Sequence, residues 1–298
     1  MIRIDLTPAA GGPAVKTLKM PESWDEMSAS QVRYIFQQYE RLAKGELTRR
    51  QFEVLVVYRL IGLQRGPSRA AAVNSAVVEN LNTLCNLISY IYYNTPEDDT
   101  VPQLSFRSIQ NPLQSVKCGG RSLCGPATLC QDLTFGEFRS AAMALNTFFE
   151  TEDPAALDEC IAHLYRPRSM NANKAGRKVR PVRVDTFEDD VKAVFAMLPW
   201  QKNLIMLWFA SCINFLQTEK LTLGGESVDL GLLFSGGEES DGQKTTWNDL
   251  LLQIAREGTI GNMDAVDEAP LMTIILHMWS NYKENQRNER NLKKAKKD

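Results

Sequence analysis

Apolar residues recur at three- and four-residue intervals through most of this chain, the spacing that lays one greasy face along an α-helix. Ser28 and Gln31 have capping-box spacing and precede the stripe Val32, Ile35, Phe36 and Tyr39. A second helix is predicted over 48–63, with Phe52, Leu55, Val56 and Leu60 apolar and Gly62 near its end. Arg65-Gly-Pro-Ser68 breaks the chain, and a third helix is predicted over 68–93 through Val73, Val77, Leu81, Leu84, Ile88 and Ile91. Thr134 and Glu137 repeat the capping-box spacing before Phe138, Ala141, Ala142, Leu145, Phe148 and Phe149. Asp153-Pro154 opens a helix through Leu157, Cys160, Ile161 and Leu164, since proline fits a first turn without leaving an amide unpaired. Helix resumes from Phe187 to Leu198. Residues 200–217 then form the most hydrophobic helix, apolar on most sides and expected to lie centrally or in an oligomer interface. Thr246 and Asp249 start a short helix with Leu250, Leu251, Ile254 and Ala255; Gly258 and Gly261 stop it, and a last helix runs from about Pro270 into a polar tail.

Four stretches depart from this period. Ile2 to Leu6 alternates and can pair with Val15 to Met20 across Gly11-Gly12-Pro13. Residues 94–133 are rich in proline and glycine, with alternating runs such as Gln103 to Ile109, and are expected to hold a β-hairpin flap. Residues 166–184 break all periodicity and read as a mobile basic loop, and Leu221 to Asp241 reads as a Gly-rich acidic connector. The expected fold is mainly α: a multi-helix bundle with a small N-terminal β-hairpin or arm and a short β-hairpin insertion around 100–133. The expected organisation is an arm at 1–20, a helical domain at 21–165 interrupted at 94–133, the basic loop or linker, and a C-terminal helical domain at 185–298 with a basic tail.

Charge sharpens that picture. Of 298 residues, 44% are hydrophobic and 23% charged, the composition of a soluble globular chain, and the net charge is -2. Yet Arg166, Arg168, Lys174, Arg177, Lys178, Arg180 and Arg183 fall together without an acidic neighbour, and 281–298 hold seven basic and three acidic residues. These segments carry +7 and +4, so the remainder carries -13. The first cluster is a candidate contact for nucleic acid or an acidic partner, although no aromatic is interleaved to stack bases. The first residues lack the features of a secretory signal, and the longest apolar run is too short to span a bilayer. The six cysteines are therefore expected to stay reduced.

Candidate chemistry is sparse. Cys118, Cys124 and Cys130 lie six apart, without the paired spacing and fourth ligand of a zinc site, so no metal or cofactor is expected. His163 and His277 sit in helices among apolar neighbours and read as structural residues. Gly224-Gly225 and Gly236-Gly237 lack the Lys and Ser/Thr of a phosphate loop, and no G-x-S-x-G occurs. The expectation is a protein without catalytic residues. Trp200, Leu204, Trp208, Trp247, Leu251, Ile254 and Trp279 are the candidate partner-binding residues.

Pro21-x-x-Trp24-x-Glu26, Leu164-Tyr-Arg-Pro167 and Trp247-x-Asp-Leu-x-x-x-Ile-Ala-x-Glu-Gly-x-Ile-Gly261 resemble proteins of the tail-assembly gene block of tailed bacteriophages and prophages. In particular they resemble the helical tail-assembly chaperones encoded near the tape-measure protein. The resemblance implies a non-enzymatic protein of the host cytoplasm that holds a long helical partner, such as a tape-measure protein, during virion assembly. Two alternatives stay open. One is a tail or connector subunit that forms homo-oligomers and remains in the virion; the other is a nucleic-acid-binding protein acting through the basic loop. No membrane partner is expected.

Overall fold

The computed structural model describes residues 1–6, 16–62, 75–93, 101–223, 225–234 and 246–295. The fold is mainly α, with small antiparallel hairpins, one of them at the N-terminus. Two compact units are formed, Met1–Leu113 with Leu198–Trp208, and Gln114–Met197 with Phe209–Asp298. These units cut across the expected division at 165/166, because the chain returns to each after leaving it.

In the first unit, β1 (Ile2–Leu6) and β2 (Lys16–Met20) pair antiparallel from Ile2↔Met20 to Leu6↔Lys16. The alternation seen in the sequence buries Leu18 and Met20 on one face. A 3-10 turn, Trp24–Glu26, aims its indole at Phe36 and Phe106, with ring centroids 6.2 and 4.8 Å away, and Trp24 Nε1 donates to the Ser105 carbonyl at 2.6 Å. Helices α1 (Ala29–Ala43) and α2 (Arg49–Leu60) both start in full capping boxes, Ser28 with Gln31 and Thr48 with Gln51. Each box satisfies amides that the first turn leaves without a helical partner. The third predicted helix is shorter than its apolar stripe: α3 (Ser75–Asn86) ends, and a 3-10 turn, Ser89–Ile91, completes the burial of Ile88 and Ile91. Its first predicted turns, at 68–74, lie outside the described residues.

The β-hairpin expected within 94–133 is present, though not on the alternating run that suggested it. Residues 103–109 form no strand; Leu104, Ser105, Phe106 and Ser108 are buried in the first unit, where their alternating apolar side chains fill core. The hairpin lies later, as β3 (Ser115–Cys118) and β4 (Arg121–Cys124) of the second unit, and β5 (Arg166–Pro167) extends it to a three-stranded sheet.

The second unit is built on α4 (Phe135–Thr151) and α5 (Pro154–Leu164), packed side by side. Thr134 caps α4 with Glu137, and the Asp153 side chain accepts from the Ala155 amide at 2.9 Å at the start of α5. α6 (Val184–Phe195) packs on α5, and α7 (Pro199–Thr218) contributes its second half. The expected connector from Leu221 is corrected in part: β6 (Lys220–Leu223) and β7 (Glu226–Asp229) form a hairpin turning at Gly225 (φ +85°), followed by α8 (Leu230–Phe234), while 235–245 lie outside the described residues. The final module also holds an unforeseen helix. Between α9 (Trp247–Glu257) and α11 (Leu271–Ala295), Asn262 caps α10 (Met263–Glu268). α10 lies on α4, and the Phe135 amide donates to the Ala269 carbonyl while the Leu271 amide donates to Leu133, so the start of α11 is sewn to the start of α4.

Candidate functional site

The basic segment is not a mobile loop. Leu123 pairs with Pro167 and Cys124 with Arg166, and Arg168 bridges Val179. The Ser169 amide donates to Lys178, Arg180 donates to Pro167, and the Asn173 side chain accepts from the Arg177 amide at 2.9 Å. The segment thus doubles back on itself with Gly176 (φ +86°) at the turn, a conformation open to glycine. Backbone pairing leaves alternate side chains pointing inward, and two of these are arginines.

Arg166 is wholly buried and Arg177 nearly so. Arg166 Nη1 donates to the Arg180 carbonyl at 2.9 Å and Nη2 to Glu137 Oε1. The Glu137 carboxylate also accepts from the Thr134 amide at 3.1 Å and from Asn173 Nδ2 at 3.2 Å. Arg177 Nη2 donates to the carbonyls of Cys124 and Leu164, with its Nε 3.7 Å from Asp132 Oδ2. Arg180 pairs with Asp190, a buried residue of α6 whose carboxyl is held above the usual range by desolvation, against the pull of Arg180. His163 of α5 lies against Phe187, ring centroids 4.5 Å apart; burial first, and then the Arg166 charge, lower its pKa to about 4. Three guanidiniums therefore face three carboxylates, Asp132, Glu137 and Asp190. Burying one partner alone would be costly, so the pairing clamps 166–183 onto α4, α5 and α6.

Of the seven basic candidates, Arg166 and Arg177 face inward, Arg180 is bound to Asp190, and Lys174 to Glu268. Arg168, Lys178 and Arg183 remain exposed, as does Lys174, whose pair with Glu268 lies at the surface. The expected seven-residue contact surface is thereby reduced, because carboxylates distant in sequence reach these side chains in the fold.

The apolar candidates are also corrected. Trp247 is buried against Phe138, centroids 4.9 Å apart at 81°, and against Phe135 at 6.4 Å; Phe138 in turn meets Phe209 at 5.5 Å. Leu251 and Ile254 of α9 are buried as well; in the first unit Leu204 and Trp208 of α7 are also buried, and the Trp208 indole donates to the Ile109 carbonyl at 3.1 Å. Five of the seven positions proposed for a partner are thus buried within the chain. Trp200 and Trp279 are half-buried; the Trp200 amide donates to Glu40 Oε2 at 3.2 Å and Trp279 stacks on Tyr282 at 5.4 Å.

Among the exposed apolar residues, two of the most open share a face of α6. Val184 is 97% and Phe195 77% exposed, and the half-buried Val191 lies between them. At 100° per residue, 184, 188, 191 and 195 share one face of about three turns. Asp190, Ala193 and Val194 take the opposite, buried face. Glu188 lies within the exposed strip, between Val184 and Val191, and Asp185 and Asp189 flank it, with Lys192 near both Glu188 and Asp189 at 3.9 Å. Comparison with protein-family models, curated proteins and solved structures finds no match to this chain.

Proposed function

We propose that this is a non-enzymatic tail-assembly protein of a tailed bacteriophage or prophage, which holds a long helical partner of the tape-measure kind during virion assembly. The observation that carries the binding role is the strip on α6 formed by Val184, Val191 and Phe195, with Glu188 within it and Asp185 and Asp189 at its border. A partner helix with apolar residues three and four apart and basic residues beside them matches that strip. The phage context rests on the resemblance, whose residues Trp24, Leu164, Tyr165, Arg166 and Trp247 are all buried. The binding face is argued separately. No helix among the described residues is long and apolar enough to cross a membrane, and on this reading the protein acts in the host cytoplasm.

A tail or connector subunit is the second reading. It is favoured by the C-terminal part of α11, where Lys283 to Ala295 are exposed apart from the half-buried Gln286 and carry five basic and two acidic residues. Such an arm could lie on a neighbouring copy. The nucleic-acid reading loses Arg166, Arg177 and Arg180, three of the seven basic residues that motivated it, to pairing within the fold. The experiment is to isolate the tagged protein from infected cells and, in parallel, to measure its copy number in purified particles. Capture of a long helical phage protein, with near absence from particles, supports the assembly role; abundant copies in finished virions would sink it in favour of the subunit.

A further inference from the structure

Beyond Lys283, which reaches Glu226 at 2.5 Å, no side chain of α11 pairs with or hydrogen-bonds to the rest of the chain among the described residues. Residues 287–295 are exposed throughout. The charges there are sorted. At 100° per residue, Arg287, Arg290 and Lys294 fall within about 60° of one another, with Leu292 on the opposite side. Glu284 and Glu289 stand off from that line by about 90° and 130°, and the face that buries Leu271, Ile274 and Ile275 is turned from it by about 140°. The line therefore looks away from the body, and its cations rise along the axis in steps of about 4.5 and 6 Å. Cations in a last turn complement the helix dipole, which accounts for Lys293 and Lys294. It does not account for Arg290 and Arg287, one and two turns earlier, and none of these four cations forms an ion pair among the described residues.

We propose that Arg287, Arg290 and Lys294 bind the phosphate backbone of double-stranded DNA, with this part of α11 lying in the major groove. A helix about 10–12 Å across matches a groove about 12 Å wide. Guanidiniums suit the site, because they stay charged and present paired donors to phosphate oxygens. The stripe itself holds no apolar residue, which a lipid surface or the greasy face of a partner helix would require. With so few cations engaged on an acidic chain, binding is indifferent to base sequence and released by moderate salt. The inference uses neither the α6 strip nor the resemblance, so it stands apart from the assembly reading.

The test is to titrate the full-length chain into a fluorescein-labelled, mixed-sequence DNA duplex and follow anisotropy between about 50 and 200 mM salt. The expected result is an affinity whose logarithm falls with the logarithm of salt by about 0.9 for each phosphate neutralised. The triple variant Arg287→Ala, Arg290→Ala, Lys294→Ala should bind about tenfold more weakly at the lowest salt, with a slope shallower by about 2.7. All three positions are exposed and alanine is the strongest helix former, so the variant should keep its helix content and melting temperature. Arg168→Ala, Lys178→Ala, Arg183→Ala, on the exposed part of the basic segment, should bind like the natural chain. The proposal is overturned if no binding occurs at the lowest salt, if the α11 variant binds as tightly as the natural chain, or if the loss is confined to the second variant. Equal affinity for a poly-glutamate of matching charge would also overturn it, by assigning the stripe to an acidic protein.

Discussion

Arg166 of β5 donates to Glu137 of α4 where neither side chain meets appreciable solvent, 0% and 9% exposed respectively. Glu137 is also the third residue of the α4 capping box and accepts from Asn173, so one carboxylate serves a helix start, an ion pair and the turn of the basic segment. Removing either partner leaves the other charge buried. Glu137→Ala and Arg166→Ala should each lower the unfolding free energy by about 3–5 kcal/mol. The double variant should lose less than the sum, since both singles break one network. Urea titrations of the three variants check this; strict additivity would mean the pair is not coupled.

His163 predicts a pH dependence. Its folded pKa of about 4 lies below the ordinary value of 6.5, so below pH 6.5 the unfolded chain takes up a proton that the folded chain refuses. The stabilisation is complete above pH 6.5 and is lost as pH falls toward 4, amounting to about 3 kcal/mol at most. Asp190, with its carboxyl raised by desolvation, contributes the opposite slope at the acid end. The difference between the natural chain and His163→Gln isolates the histidine, because Asp190 is common to both. Unfolding free energies from pH 7.5 to 4.5 should converge between the two proteins as pH falls; parallel curves would refute the assignment.

Trp247 belongs to the core despite its prominence in the sequence. Trp247→Ala should cost about 3–5 kcal/mol and Leu251→Ala about 2–5 kcal/mol through lost burial and the cavity left behind. Thr246→Ala, which removes only the cap beneath them, should cost about 1 kcal/mol. This ordering, read by chemical denaturation, separates core from cap. A Trp247→Ala loss no larger than that of Thr246→Ala would return the indole to the list of surface contacts.

The helices were legible because their signals are local. Ser28, Thr48, Thr134 and Thr246 each cap the helix predicted from them, with Gln51 completing the Thr48 box unforeseen, and Gly258 (φ +71°) ends α9 as expected. α10 escaped because its six residues carry too few apolar positions to show a period. The hairpin at 220–229 escaped because its glycine turn resembles a linker. What the sequence could not disclose was partnership at a distance: Arg166 with Glu137, Lys174 with Glu268, and Arg180 with Asp190. A run of unopposed charge in sequence was opposed in space. The same limit misplaced the binding residues, since periodicity identifies an apolar face without saying whether the chain itself covers it.

Close approach at two glycines gives a further check. A Cβ on Gly125 would lie 2.5 Å from ring atoms of Tyr165, which is wholly buried and cannot swing aside, and one on Gly136 would lie 2.9 Å from the Asp267 Cβ. Gly125→Ala should therefore destabilise by about 1–3 kcal/mol or more through overpacking. Gly231, where the nearest atoms are 3.4 Å away, should accept alanine with little change. Comparing melting temperatures of Gly125→Ala and Gly231→Ala reads the contrast; equal values would show that the Tyr165 ring yields.

The α6 strip gives the prediction that bears most directly on function. Phe195 is 77% and Val184 97% exposed, so replacing either with aspartate removes little buried area and should change stability by no more than about 0.5 kcal/mol. If α6 receives an amphipathic partner helix, the same substitutions place a carboxylate inside an apolar contact, where desolvation has no compensating pair. Phe195→Asp, at the end of the strip, should reduce capture of the partner at least tenfold, whereas Leu292→Asp on the exposed arm of α11 should leave it unchanged. The subunit reading predicts the reverse, with Leu292→Asp impairing association between copies and Phe195→Asp neutral. Quantitative pull-down from infected cells, alongside sedimentation of each purified variant, distinguishes loss of a partner from loss of self-association. Equal behaviour of Phe195→Asp and the natural protein in both assays would remove α6 as a binding face.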